Sequence, residues 1–301
     1  MVEKPPDVTI VLPVFNEAGH IEAEISRIAA AMDASGFSYD LDVYDDASTD
    51  GTREVLARLA ESRRFPRLRY VARQRNSGPG TVRRLGTQQA RGELVAWTDA
   101  DMSYPNERLP EFITLLRNER GIDQVVGART SEAGSYRVLR VPTKWVIRRI
   151  ASYLTAATIP DLNSGMRVFR RDVAQPYLRL LPAGFSCVST LTLSFLANGH
   201  EIRYVPIDYS SRAGRSKFHF IRDAYLYILQ VLRMVMYFNP LKVLMPVALW
   251  IIAAGGVKMV TDVIRFGWRV PGSTVLILLT GLQIAALALL GDLIVRSRGD
   301  T

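Results

Sequence analysis

One cysteine, Cys187, and three histidines are all that 301 residues offer of the softer metal ligands. That scarcity excludes a disulfide framework and a cysteine-rich metal centre. The opening residues 1–7 are polar and lack the apolar core of a signal peptide, so the soluble part of the chain is expected to stay in the cytoplasm. No Gly-Lys-Ser/Thr follows a glycine turn, which excludes a P-loop, and no Arg-Trp pair occurs. No basic stretch interleaves with aromatics as a nucleic-acid reader would, so nucleic acid is not an expected partner. The net charge of +9 points instead to phosphorylated ligands or an anionic bilayer.

Hydrophobic residues make up 48% of the chain, and they are spread unevenly. Residues 243–257 are uncharged for 15 positions and residues 270–291 for 22. The second run is long enough to span a bilayer; the first reaches that length if Lys242 and Lys258 snorkel at its ends. Two transmembrane helices are therefore expected at about 240–260 and 271–295, joined by residues 261–269. Residues 218–238 are nearly as apolar but are broken by Arg222, Asp223, Gln230 and Arg233, a pattern that suits a helix lying at the membrane surface. Arg212, Arg215, Lys217, Arg222 and Arg233 precede the first span and Arg296 and Arg298 follow the second, against Arg265 and Arg269 between them. This balance puts both ends of the pair on the cytoplasmic side. The expected division is a catalytic domain over 1–217, an amphipathic interfacial helix over 218–239, and two spans with a short tail over 240–301.

Before that point, short β-rich runs alternate with amphipathic ones. Residues 8–14 read as a buried strand running into Phe15, Asn16 and Glu17, and Ile21, Ile25, Ile28 and Met32 mark a covering helix. Residues 41–44 form a second strand, followed by Asp45 and Asp46; Ser48, Thr49 or Asp50 can cap the helix that carries Val55, Leu56 and Leu59. Residues 68–71 form a third strand, and Val82, Leu85 and Gln89 lie along a third helix. Gly78, Gly80 and Gly86 do not fit G-x-G-x-x-G, so this segment reads as a turn and a helix with one close-packed glycine. The alternation predicts a doubly wound α/β sheet, whose ligands bind beyond the carboxyl ends of the strands. Asn16, Glu17, Asp45, Asp46, Asp99 and Asp101 should converge there.

Asp99 and Asp101 close the apolar run 93–101. Residues two apart on an extended chain point the same way, and two carboxylates held together stay ionised at little cost when a cation sits between them. Oxygen ligands with open positions suit Mg²⁺ or Mn²⁺ bridging to phosphates. Taken alone, the pattern fits equally well one aspartate capping the next helix and the other solvated.

Several motifs occur in a fixed order: Pro13 to Glu17, Asp45 to Thr52, Asn76 with Gly78, Gly86 to Glu93, and Thr98 to Asp101. Together they resemble family 2 glycosyltransferases of the GT-A fold, a Rossmann-like doubly wound mixed sheet. Asn163 to Arg167 and Arg212 to Lys217 narrow the likeness to polyprenyl-phosphate glycosyltransferases such as dolichol-phosphate mannose synthase. The resemblance covers roughly residues 7 to 235. It implies an inverting transfer of one sugar from a nucleotide-diphosphate donor to the phosphate of a polyprenyl lipid at the cytoplasmic membrane face. By position, Pro13, Phe15, Glu17, Asp45, Asp46 and Asp99 would hold the nucleotide, and Asp99 and Asp101 a divalent metal, with Asp101 and Arg129 catalytic. Arg129, Ser164, Arg167, Arg212, Ser216 and Lys217 would hold the acceptor phosphate. Assembly as a homo-oligomer is left open. The sequence departs from the family at Pro79, where many members have lysine, and at Ser103, where glutamine is common, which leaves a third metal ligand unassigned.

Arg137, Arg140, Lys144, Arg148 and Arg149 share a stretch with Val141, Trp145, Ile150 and Leu154. It reads equally as a membrane-binding face and as a solvated one. Three rivals are weaker. A processive polysaccharide synthase should carry Gln-x-x-Arg-Trp, a non-catalytic scaffold would have had no need of both aspartates, and a sugar nucleotidyltransferase no need of the apolar pair.

Overall fold

Val8–Val14 (β1) is apolar apart from Thr9 and buried almost throughout, as a central parallel strand must be. It leads to Ile21–Ser35 (α1), where Ile21, Ile25, Ile28 and Met32 are fully buried and where Gly36, at φ 75°, ends the helix in the left-handed region. The alternation continues through Tyr39–Asp45 (β2), Thr52–Glu61 (α2), Leu68–Ala72 (β3), Pro79–Gln89 (α3), Leu94–Trp97 (β4), Leu109–Asn118 (α4) and Ile122–Arg129 (β5). Arg167–Arg170 (β6), Cys187–Ala197 (α5) and Glu201–Ile207 (β7) follow. This is a computed structural model that describes residues 4–130, 158–184, 186–210, 229, 236–237, 239–267 and 270–299. The chain forms two compact units, Met1–Ile228 and Leu229–Thr301.

In the first unit seven strands make one sheet in the order β3-β2-β1-β4-β6-β5-β7. Every pairing is parallel except those of β6, which runs against both β4 and β5. This is the mixed doubly wound sheet that the alternation predicts. Register decides what it presents. Val14 lies beside Asp45 across β1 and β2, so the segments that leave both strands emerge together. Arg167, the first residue of β6, lies beside Trp97 on one side and Val126 on the other, so the start of β6 faces the ends of β4 and β5.

Two apolar layers hold the sheet. One packs Ile10, Leu12, Ile25, Ile28, Phe112 and Ile113 beneath α1 and α4, and the other packs Val11, Tyr44, Val82, Trp97, Phe169 and Phe195 beneath α3 and α5. Trp97 and Phe169 meet edge to face at 5.0 Å. More than the one expected glycine of α3 is closely packed: a Cβ on Gly86 would lie 2.4 Å from Val11 Cγ1, and one on Gly80 2.0 Å from the Pro182 carbonyl oxygen.

The second unit is a pair of helices, Pro240–Phe266 (α6) and Gly272–Gly299 (α7). Both are long and apolar enough to cross a membrane. They pack through small residues: Ala248 and Ala288 are fully buried, and a Cβ on Gly281 would lie 2.6 Å from Ile252. Trp250, Ile264, Leu276 and Leu293 face outward. The first helix runs past the expected end at about residue 260, and Lys258 was expected to snorkel near that end. That lysine stays inside the helix, donating to Asp262 at 2.7 Å, and Thr274 of α7 also donates to the Asp262 carboxylate. A charge neutralised one turn along does not stop a helix, so residues 261–266 extend α6 instead of forming the connection.

Candidate active site

The ends of β1 and β2 are laced together by their own side chains. Asn16, at φ 59°, accepts from Thr49 N at 2.8 Å, and its own N–H donates to Ser48 Oγ at 2.9 Å. Glu17 N donates to Thr52 Oγ1 at 2.9 Å, while Asp50 accepts from Thr52 N at 3.1 Å and so serves the start of α2, although Gly51 occupies the cap position itself. Asp45 is buried and accepts from Ser48 N at 2.9 Å and Arg53 Nε at 3.1 Å. Asp46 is buried as well, and accepts from Ser77 N at 3.0 Å and Gly78 N at 2.7 Å, pinning the turn that opens α3. Both carboxylates thus shape the loops around the expected nucleotide position. Pro13 pairs with Tyr44 inside the sheet, and Phe15 leaves the strand with 38% of its surface exposed.

At the end of β4 the two aspartates have different surroundings. Asp99 accepts from Arg83 Nη2 at 2.5 Å, and a Cβ on Gly165 would come within 2.8 Å of Asp99 Oδ2, so only glycine fits behind it. Arg83 is fully buried on α3; burial opposes its charge, but Asp99 and the Cys187 thiol outweigh that and raise its pKa. Asp101 is buried and accepts from Ser103 N at 3.2 Å and from the Ser103 hydroxyl, across Met102 at φ 60°. Among the described residues no group of three His, Cys, Asp or Glu side chains gathers as a metal cage. Two hard carboxylate donors at a strand end, without a closed cage, suit a cation that completes its shell with substrate phosphates and water, as Mg²⁺ and Mn²⁺ do.

Beneath these aspartates lies a polar cluster. Asn106 Nδ2 donates to Glu24 Oε1 at 2.6 Å and to the Asp99 carbonyl at 3.3 Å, and Asn106 Oδ1 accepts from the Thr98 hydroxyl. Glu24 is fully buried and is also bound by Arg27 Nη2 at 2.8 and 2.9 Å. Burial raises the Glu24 carboxyl above its ordinary range despite Asn106 and Arg27, which hold it down.

At the end of β5, Arg129 grips Asp161 with two bonds, Nε to Oδ2 at 2.6 Å and Nη2 to Oδ1 at 2.9 Å, and its guanidinium stands 5.2 Å from the Tyr209 ring centre. Burial pushes the Asp161 carboxyl up, but Arg129 and the N–H groups of Asn163 and Arg129 together hold it below 3.8. Arg167 corrects an expectation. It is fully buried and donates to Val188 O at 2.8 Å, Thr192 Oγ1 at 2.9 Å and Ser164 O at 2.5 Å, so it ties the 164–167 segment to α5 rather than reaching an acceptor phosphate. Burial and the charge of Arg83 bring its pKa down to about 10. Ser164 is fully buried too, its hydroxyl without a hydrogen-bond partner among the described residues. Arg212, Ser216 and Lys217, most of the expected interfacial helix, and the basic run from Arg137 to Arg149 lie outside the described residues.

The sheet edge thus gathers Phe15, Asn16, Glu17, Asp45, Asp46, Asp99, Asp101 and Arg129. Sequence reasoning missed Arg83, Glu24, Asn106 and Asp161. Only Glu24 carried a usable signal, since it falls on the apolar stripe with Ile21, Ile25 and Ile28.

The sequence matches the family described as Glycosyl transferase family 2 over residues 9–178, and the one described as GtrB C-terminal hairpin over residues 239–297. An undecaprenyl-phosphate 4-deoxy-4-formamido-L-arabinose transferase of Shewanella sediminis is 28% identical over 306 residues, covering 97% of this chain and 88% of that one. A dolichyl-phosphate hexose transferase of Haloferax volcanii is 29% identical over 212 residues, 70% of this chain and 86% of that one. Among solved structures, glucosyl-3-phosphoglycerate synthase from Mycobacterium tuberculosis, in complex with Mn²⁺, UDP-glucose and phosphoglyceric acid, superposes with a TM-score of 0.60 at 21% identity, covering 76% of this chain and 80% of that one. The likeness is one of GT-A fold.

Proposed function

The chain belongs to glycosyl transferase family 2 and is a glycosyltransferase, and from that premise we propose that it moves one sugar from a nucleoside-diphosphate sugar to the phosphate of a polyprenyl lipid, with inversion. One observation carries the reading: the Shewanella sediminis transferase, whose name gives undecaprenyl phosphate, matches 97% of this chain, sheet and helix pair alike. An acceptor phosphate oxygen attacks the anomeric carbon as its bond to the diphosphate breaks, and the electron pair leaves with the nucleoside diphosphate. The acceptor is already anionic at neutral pH, so a strong general base is not required.

In this reading Phe15 flanks the base, and Asp45 and Asp46 keep the surrounding loops in place. Asp99 and Asp101 would hold a divalent cation, which when bound neutralises charge on the leaving group and is worth several kcal/mol. The M. tuberculosis neighbour was crystallised with Mn²⁺, which supports this assignment. Arg129, the Arg212 and Lys217 pair and Ser216 would offset repulsion between two anionic substrates. Arg129 meets the acceptor from within its ion pair with Asp161. The two apolar helices would cross the cytoplasmic membrane with the catalytic unit on the cytoplasmic side, as the balance of basic residues favours.

Purified full-length protein in detergent, incubated with UDP- and GDP-sugars and polyprenyl phosphate, should yield a lipid-linked monosaccharide detectable by mass spectrometry. Release of free sugar alone, or growth of a polymer, would overturn the assignment.

A further inference from the structure

The residues around Asp99 and Asp101 form a turn braced on both flanks to α1. Before the aspartates, Asn106 holds the Thr98 hydroxyl and, at 3.3 Å, the Asp99 carbonyl. After them, Arg27 Nη2 donates to the Tyr104 carbonyl at 2.7 Å. Both braces end on one group: Glu24 accepts from Asn106 at 2.6 Å and from Arg27 at 2.8 Å. A third strut reaches Asp99 from above, because Tyr104 Oη accepts from Gly165 N at 2.7 Å and Gly165 is the residue whose missing Cβ makes room for Asp99 Oδ2.

This bracing surrounds a costly conformation. Met102, between Asp101 and Ser103, sits at φ 60°, which a side chain larger than glycine adopts only when its surroundings over-determine it. Glu24, Thr98 and Asn106 are all fully buried. A carboxylate buried on the same helix face as Ile21, Ile25, Ile28 and Met32 is unfavourable for packing alone. Its bonds are better explained by what they orient.

We propose that Glu24 and Asn106 are positioning residues that set the Asp99 and Asp101 carboxylates for a divalent cation. The inference rests on the metal reading of those two aspartates. It concerns outer groups that touch neither substrate nor cation and act through the backbone of residues 98–106. Partners of this kind typically govern metal affinity by 10- to 100-fold.

The test measures Mn²⁺ binding to the full-length protein in detergent, by electron paramagnetic resonance of the free ion, with UDP or GDP present. Thermal melting of each variant is followed alongside. Wild type should bind Mn²⁺. Asn106→Ala and Glu24→Leu should each weaken that affinity at least tenfold at temperatures where melting shows them folded. Glu24→Gln keeps an acceptor for Asn106 and Arg27, and should stay within about threefold of wild type. If Asn106→Ala and Glu24→Leu lower only the melting temperature, the residues are structural and the inference fails while the metal reading survives. Should either variant fail to fold, Glu24→Gln decides: a loss of affinity as large as tenfold in that folded, isosteric variant also overturns the proposal. If wild type itself binds no Mn²⁺ with either nucleotide, the metal reading falls and the inference with it.

Discussion

Arg83 and Asp99 form an ion pair at the mouth of the site, in which the arginine is almost wholly enclosed and the aspartate is one-third exposed, with 2.5 Å between Nη2 and Oδ1. The guanidinium also stands 5.7 Å from the Trp97 ring centre. The pair is lopsided: the buried partner depends on the exposed one. Replacing Asp99 therefore leaves an uncompensated charge inside the protein, whereas Asp101 accepts from the neutral N–H and hydroxyl of Ser103.

Asp99→Ala should accordingly unfold more easily than Asp101→Ala. Loss of one partner from a buried pair costs about 3–5 kcal/mol, against about 1–3 kcal/mol for a buried hydroxyl left unmatched. Thermal melts of the two purified variants check this, and equal destabilisation would contradict the asymmetry.

Activity should depend on a divalent cation, and Asp101→Ala should abolish it while the protein remains folded. Loss of several kcal/mol of charge neutralisation corresponds to about a thousandfold in rate. Full turnover in EDTA, measured on lipid product, would remove Asp99 and Asp101 from the role of metal ligands.

The Arg129 and Asp161 pair should give the protein an acid-sensitive component of stability. Asp161 has a folded pKa held below 3.8, so its ionised form stabilises the fold above that value, and the contribution is lost as pH falls through the lower, folded pKa. In Asp161→Asn this component is absent. The difference in melting temperature between wild type and variant should therefore be constant from about pH 5 upward and shrink below about pH 4. A difference that stayed constant into the acid range would mean that the pair contributes nothing through its charge.

Gly86→Ala should destabilise by about 1–3 kcal/mol, the range for forcing a methyl into a filled core. The new Cβ would meet Val11 Cγ1 at 2.4 Å and Tyr44 Cε2 at 3.1 Å, neither of which can move without disturbing β1 or β2. A denaturant melt that matched wild type would show that α3 shifts freely.

The parallel part of the fold was legible because hydrophobic period carries it: β1, α1 and the two C-terminal helices follow from local pattern alone. Asp99 and Asp101 were legible for the same reason, lying where an apolar strand stops. What pattern could not convey was pairing across the chain. Arg83 meets Asp99 16 positions away, and Arg129 meets Asp161 32 positions away. Arg167 was assigned to the acceptor from its motif, but β6 is only four residues long, and its reversed direction was not visible in so short a run. Whether an arginine faces a ligand or a helix is decided by that direction. Glu24 was not singled out, although its place on the apolar stripe with Ile21, Ile25 and Ile28 was the one local sign that it is buried.

The reversal of β6 has a consequence for what the rim of the sheet is made of. Because β6 runs against β4 and β5, the residues that lead into it arrive at the rim where those two strands end. Asp161 can therefore reach Arg129, and Gly165 can lie against Asp99, although both precede a strand while their partners end or follow one. A parallel strand in the same place would begin at the far rim and bring neither of them near. One strand laid backwards thus mixes strand entrances with strand exits at a single edge, and the ion pair and the close glycine both depend on that mixing.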